Sequence, residues 1–257
     1  MKVVLFCGGE GMRMREYSET IPKPMVPIGH RPILWHLMRT YAHYGHKEFI
    51  LCLGHKGEAI KEYFVNYKEW LTSDFVLSNG RVALQNSGIE DWSIRFAETG
   101  LSANVGERLM AVRPYLDGDE VFLANYGDVL ADVPLPRLID HSSEQGKIAC
   151  CVCVQPAHLT FHVIRSNRNS IVESLQPVDQ TDLWINGGFF VFRKEIFDFI
   201  RPGEDLVLEP FQRLIDLGEL VTYRHEGFWL GMDTFKELQQ LNELYNRRRA
   251  PWVVWDR

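Results

Sequence analysis

The feature that most constrains this chain is its first apolar run, Val3-Val4-Leu5-Phe6, which stops at Gly8, Gly9 and Gly11, with Arg13 two residues further on. A run of strand length that ends at glycines reads as a buried parallel strand feeding a loop. Glycine there tolerates positive φ and lets the backbone come close to a ligand. The N–H groups of such a loop form a cradle for phosphate oxygens. Arg13 adds a planar cation, and Lys23, in Pro22-Lys23-Pro24-Met25, adds a point charge.

Two common templates are excluded. Walker A needs G-x-x-x-x-G-K-S/T, and no Lys-Ser or Lys-Thr follows these glycines. The dinucleotide fingerprint needs G-x-G-x-x-G, and Met14 stands where its last glycine would be. This spacing disfavours a nicotinamide dehydrogenase. The glycines alone fit a tight turn without a ligand equally well; the two cations tip the balance.

The rest of the chain supplies the fold class. Pro32 opens a helix that Gly45 closes, Glu48 to Leu53 is a strand ended by Gly54, and Lys56 to Tyr67 is a second helix. Strand–helix–strand–helix marks a parallel α/β sheet. Residues 68–92 lack a clear period. Ser93 to Glu98 is a strand, Thr99 to Gly106 a loop, and Glu107 to Arg113 a helix limited by Pro114. Glu120 to Asn125 is a strand that ends at Tyr126-Gly127-Asp128. Four strands follow with little helix between them, near residues 148–154, 161–165, 171–175 and 188–192. Asn167-Arg168-Asn169 has hairpin chemistry. Helices over 207–217 and 234–249 close the chain, the second with a Thr234-x-x-Glu237 capping box. The expected fold is α/β: a Rossmann-like mixed, mostly parallel sheet flanked by helices, with a small β-rich subdomain. It forms one domain over 1–257, with about 1–135 binding nucleotide and about 136–257 binding the acceptor.

Composition removes other classes. A net charge of -6 without a long basic stripe speaks against nucleic acid. No apolar run reaches membrane-spanning length and no secretory signal precedes the first strand, so the expected location is the cytoplasm. The five cysteines, Cys7, Cys52, Cys150, Cys151 and Cys153, read as buried thiols. Alternation sends Cys150 and Val152 to one face of their strand and Cys151 and Cys153 to the other. The nine histidines form no zinc pattern, and His36 reads as structural.

Gly8-Gly9-Glu10-Gly11-Met12-Arg13 with Pro22-Lys23-Pro24-Met25 resembles the signature of the sugar-1-phosphate nucleotidyltransferases, G-G-x-G-T-R followed by P-K-P-M. The similarity extends through Pro32-Ile33-Leu34-Trp35-His36, Tyr126-Gly127-Asp128, Ile185-Asn186-Gly187-Gly188, Gly227-Phe228-Trp229, Met232-Asp233-Thr234 and Ala250-Pro251-Trp252. It covers essentially the whole chain and is strongest to the glucose-1-phosphate cytidylyltransferase branch. The resemblance implies the nucleotide-diphospho-sugar transferase fold and a reaction between an NTP, CTP favoured, and a sugar 1-phosphate or related phosphorylated acceptor, releasing pyrophosphate. It implies Mg2+ on Asp128 and Asp233, although Asp233 by itself could equally cap the last helix. Gly8, Gly9, Gly11, Met12, Arg13, Lys23, Arg108 and Asp128 would bind nucleotide, with Arg13 and Lys23 catalytic. Asn186, Gly187 and Trp229 would bind the sugar phosphate. Relatives form homo-oligomers, so the same is expected here.

Three departures bear on the acceptor and the activity. Met12 replaces a threonine whose hydroxyl would donate to a phosphate. Ser174-Leu175-Gln176-Pro177 stands where the family has Glu-Lys-Pro, so the lysine for the sugar's phosphate is missing; Arg165, Arg168 or Lys194 are candidate replacements. Glu107 replaces a glycine and is expected to bring negative charge toward phosphates. These leave open a different base and acceptor, or a non-catalytic, regulatory nucleotide-binding relative on the same fold.

Overall fold

A computed structural model of the chain describes residues 1–9, 21–71, 75–84, 88–89, 91–156 and 161–255. In chain order the elements are β1 (Val3–Phe6), β2 (Pro27–Ile28), β3 (Arg31–Pro32), α1 (Ile33–His43), β4 (Glu48–Leu53), α2 (Gly57–Val65), β5 (Phe75–Ser78), β6 (Arg81–Leu84), β7 (Ser93–Glu98), α3 (Val105–Val112), β8 (Val121–Tyr126), β9 (Val129–Ala131), α4 (Leu135–Gln145), β10 (Ala149–Val154), β11 (His162–Ser166), β12 (Val172–Pro177), β13 (Ile185–Arg193), α5 (Glu209–Asp216), β14 (Leu220–His225), β15 (Trp229–Gly231) and α6 (Phe235–Asn246).

Seven strands form the main sheet in the order β14-β10-β13-β8-β1-β4-β7. β13 runs antiparallel to both its neighbours, and every other pairing is parallel. Helices cover both faces, which is why β1, β10 and all of β4 after Glu48 are continuous apolar runs. On one face Val3, Leu5, Cys150 and Val152 pack with α1, with Leu135 and Leu138 of α4 and with Leu238 and Leu241 of α6. On the other, Val4, Cys151 and Phe190 pack with Leu109 of α3 and with Phe211 and Leu214 of α5. The cysteine strand therefore sends Cys150 and Val152 to one face and Cys151 to the other, as alternation requires, and all five cysteines are free and buried. His36 is fully buried between Ile28 O, Tyr245 and Trp252. Burial lowers its pKa to about 4.

Three segments differ from expectation. Residues 75–84, within the stretch left irregular by the sequence, form the β5–β6 hairpin around Asn79-Gly80, both at positive φ. Its β5 strand is exposed throughout, so no burial alternation marks it. α4 occupies residues to which the sequence pattern assigns no element; Pro134 and Pro136 sit at its start, where proline is tolerated, and Gly146 closes it at φ 62. α3 begins two residues early because Asn104 and Glu107 form a capping box. Among the described residues no helix is long and apolar enough to cross a membrane.

Candidate functional site

The parallel strands all end at one edge of the sheet, the edge where open α/β sheets bind ligands. Gly8 and Gly9 follow β1, Gly54 follows β4, and Gly127-Asp128 follow β8, while antiparallel β13 begins there with Ile185 and Asn186. A cavity of about 700 Å³ opens along this edge. It is lined by Gly8, Gly9, Lys23, Asn104 and Arg108, and by Tyr126, Asp128, Asn186, Asp205, Trp229 and Asp233.

Asp128 and Asp233, 105 residues apart in the chain, are joined by a short ladder. β15 pairs antiparallel with β9, Gly231 opposite Val129, and Met232 N–H donates to Asp128 O at 3.0 Å. Asp233 therefore leaves its strand beside Asp128. Helix capping does not consume it: Thr234 is the N-cap of α6, and Glu237 Oε2 accepts from the N–H groups of Asp233 (2.6 Å) and Thr234 (2.7 Å). The Asp233 carboxylate is left to face Lys23.

Lys23 sits on a tight turn between Pro22 and buried Pro24, which fix the backbone around it. Its Nζ donates to Asp128 Oδ2 at 2.5 Å and to Asp233 Oδ1 at 2.7 Å. Burial alone would lower the ammonium's pKa. The charge of Asp128 and the hydrogen bonds to both carboxylates outweigh that and raise it, so Lys23 is a cation at every physiological pH. Two carboxylates thus converge on one positive charge, with no third His, Cys, Asp or Glu beside them among the described residues.

Arg108 is 4% exposed, not a surface residue of α3. Its Nη1 donates to Leu53 O (3.0 Å), Thr99 Oγ1 (2.7 Å) and Gly100 O (2.9 Å), and its Nη2 to Gly8 O (2.9 Å) and Leu101 O (3.3 Å). These acceptors are neutral. Burial lowers the Arg108 pKa, while Cys52, Cys7 and Glu107 act in the opposite direction. The guanidinium ties the loops after β1, β4 and β7 together. It also explains Gly8: a Cβ there would lie 2.2 Å from Arg108 Nη1. Neither Gly8 nor Gly9 has positive φ, so close approach, and not the left-handed region, is what Gly8 supplies.

Glu107 corrects an expectation. Its carboxylate accepts from Asn104 N–H at 2.9 Å and closes the capping box, so it serves the helix end and does not line the cavity. Lys194 is also removed as a replacement cation. It pairs with Glu120, at the opposite end of β8 from Asp128. Arg165 and Arg168 belong to the β11–β12 hairpin and are absent from the described cavity wall. Asn186 lines the cavity, accepting from Gly188 N–H (2.9 Å) and reaching Tyr126 Oη (3.4 Å). Gly187 does not line it; its carbonyl holds the Trp229 indole N–H at 2.8 Å, which orients that ring on the wall. Gly11, Met12 and Arg13 lie outside the described residues. Asp205, which the sequence did not single out, lines the cavity; Gly203-Glu204-Asp205 reads as an ordinary turn before a helix.

The Nucleotidyl transferase family model matches residues 2–248. A probable glucose-1-phosphate cytidylyltransferase of Bacillus subtilis (strain 168) is 39% identical over 99% of this chain and 100% of its own length. The glucose-1-phosphate cytidylyltransferase of Salmonella typhimurium is 38% identical over the full length of both. Among solved structures, a UDP-glucose pyrophosphorylase from Acinetobacter baumanii superposes with a TM-score of 0.70 at 19% identity, covering 96% of this chain and 93% of that one. HddC from Yersinia pseudotuberculosis, complexed with GMP-PN, gives 0.65 at 17%, covering 95% and 99%. These last two speak for the fold, and the end-to-end relatives for the activity: the chain belongs to the nucleotidyl transferase family and is a nucleotidyltransferase related over its whole length to glucose-1-phosphate cytidylyltransferases.

Proposed function

We propose that the chain joins an NTP, CTP by analogy with its relatives, to the phosphate of a sugar 1-phosphate or a related phosphorylated acceptor, releasing pyrophosphate. The observation that carries this reading is the meeting of Asp128 and Asp233 around the Lys23 ammonium on the wall of the cavity. The ammonium acts as a stand-in charge: a pair of carboxylates that gathers one cation is a donor set suited to Mg2+, which typically takes one or two carboxylates and completes its shell with phosphate and water. Bound there, Mg2+ would supply Lewis-acid neutralisation of the phosphates.

The chain's own groups have the remaining tasks. Both substrates are anionic, so alignment and charge neutralisation dominate the barrier. Gly8 and Gly9 offer backbone close to the phosphates, and Arg13 and Lys23 oppose the charge that builds during transfer. Asp128 and Asp233 would hold the divalent ion, and Lys23 beside them would oppose phosphate oxygen. Arg108 holds the loops that frame the nucleotide. Asn186 and Trp229 border the acceptor. No covalent enzyme intermediate is needed. Burial, then the neighbouring Cys52 and Asp128, push the Cys7 thiol well up, which suits packing and not attack. The protein is read as cytoplasmic and as a homo-oligomer; the exposed Leu77 and Leu175 of its two outlying hairpins support self-association.

The test is pyrophosphate release across the four NTPs and a panel of sugar 1-phosphates, with and without Mg2+. CTP-dependent release that chelation abolishes is expected. A protein that binds CTP yet turns over no combination sinks the reading, and so does turnover indifferent to divalent ions.

A further inference from the structure

The acceptor side of the cavity carries a third carboxylate. Asp205 stands apart from the Asp128–Asp233 pair, since no three acidic, His or Cys side chains share one point among the described residues. Its Oδ1 accepts a long bond from Val207 N–H at 3.3 Å, and no other described residue donates to the carboxylate.

The segment that carries Asp205 is built firmly. Leu206 is fully buried, Glu204 pairs with Arg213, and Asn104 Nδ2 donates to Gly203 O at 3.0 Å. The segment also lies against the first turn of α3: a Cβ on Gly106 would fall 2.3 Å from Glu204 O. Such close backbone contact demands glycine. Asp205 is therefore held in place by four elements of packing.

Its polar neighbours on the wall are Tyr126 and Asn186. The Tyr126 pKa is raised to about 12, by burial first, with the Asp205 and Asp128 charges adding to it, so the phenol keeps its proton. Asn186 Nδ2 donates to the Tyr126 oxygen, leaving the phenol hydrogen free to point elsewhere. A carboxylate, a phenol and an amide on one wall make a surface for hydroxyl or amine donors, not for phosphate. Like charges near a protein surface repel one another. Asn186 lies on β13, two strands from β1 with its Gly8 and Gly9, and Tyr126 lies on β8, one strand from β1.

We propose that Asp205 is a specificity residue for the acceptor: with Tyr126 and Asn186 it forms a subsite that receives a hydrogen-bond donor, hydroxyl or ammonium, on the organic part of the phosphorylated acceptor. This rests on the nucleotidyltransferase reading above. An acceptor held by its donor groups depends less on a lysine at its phosphate, which agrees with the loss of that lysine at Gln176.

The experiment is steady-state kinetics of wild type, Asp205→Ala and Asp205→Asn with glucose 1-phosphate and glucosamine 1-phosphate, together with thermal-shift titration of each acceptor. Asp205→Ala is expected to raise the acceptor KM by about 10- to 50-fold while the NTP KM stays within about twofold, the size of loss that follows one unmade charge-assisted bond. Asp205→Asn separates the donors. Its amide oxygen still accepts from a hydroxyl, so a sugar hydroxyl loses about threefold, whereas an ammonium loses as much as with alanine. An unchanged acceptor KM in Asp205→Ala overturns the assignment, as does a rise confined to the NTP. If Asp205→Ala fails to fold, the nearly isosteric Asp205→Asn decides, and in that variant unchanged kinetics and unchanged shifts with both acceptors overturn it. A wild type that neither binds nor turns over any acceptor removes the underlying reading and this assignment with it; normal wild-type turnover with indifferent variants removes the assignment alone.

Discussion

The two sides of the cavity are built by different means. On the side of β1, charged groups converge from distant parts of the chain: Lys23 on Asp128 and Asp233, and Arg108 on the carbonyls of three loops. On the side of β13, the wall is Tyr126, Asn186, Trp229 and Asp205, with one negative charge and no lysine or arginine among the described lining residues. The first side is suited to a polyphosphate and a divalent ion, whose demands are nearly the same for any nucleotide. The second is suited to an organic group with its own donors. Under the proposed function, the difference reads as chemistry kept at the phosphate end and recognition set by the acceptor wall.

The comparison is broken most sharply at Asp128. Asp128→Asn keeps the size of the side chain but removes a charge that meets Lys23. Turnover is expected to fall by about a thousandfold, the scale for losing one electrostatic element of a transition state. Stopped assays of pyrophosphate release measure it, and retention of more than a tenth of the rate would show that the charged side is not where chemistry occurs.

Arg108→Lys comes next. A lysine ammonium cannot span the Gly8, Leu53, Thr99 and Gly100 acceptors that the planar guanidinium reaches together. The variant is expected to lose about 3 kcal/mol of stability in urea titration, from two or so charge-assisted bonds. Its NTP KM should rise on the order of a hundredfold while the acceptor KM changes little. Equal changes in both would mean that the two sides are mechanically one. On the other side, Asn186→Ala removes the contact to Tyr126 and the brace on Gly188 N–H. A rise of about tenfold in acceptor KM alone is expected, the scale of one neutral hydrogen bond.

Much of this was legible in the sequence, and the two sides were not equally so. Glu48–Leu53 and Ser93–Glu98 have the bounds that period and glycine punctuation give. The strand before Gly8, the Thr234 capping box and the candidate acids were readable because each signal is local. What brings Asp233 to Asp128 was not: β9 and β15 are three residues each, and a pairing across about a hundred residues leaves no period. Glu107 was misread because it was set against a glycine instead of against Asn104, three residues earlier, where it completes a cap. Asp205 gave no signal, since its role comes from the turn that α3 and α5 press into the cavity wall. Charge motifs around a common chemistry are written locally, whereas an acceptor wall is assembled from pieces that look like ordinary turns.

Gln176→Lys is expected to have the smallest effect and puts the comparison to its most delicate test. Gln176 stands where the family's lysine would be, so a view that the acceptor side merely lost a cation predicts that restoring it improves the enzyme. In the structure Gln176 lies on β12, paired with Val163 in the hairpin, and is not among the described lining residues of the cavity. A flexible ammonium on that hairpin gains little unless phosphate comes within a few ångströms, because an exposed ion pair is worth about 0–1 kcal/mol. The acceptor KM is therefore expected to stay within about threefold of wild type. An improvement beyond about tenfold would show that the β11–β12 hairpin closes over the acceptor during turnover. The wall without a cation would then be half of a site that substrate completes.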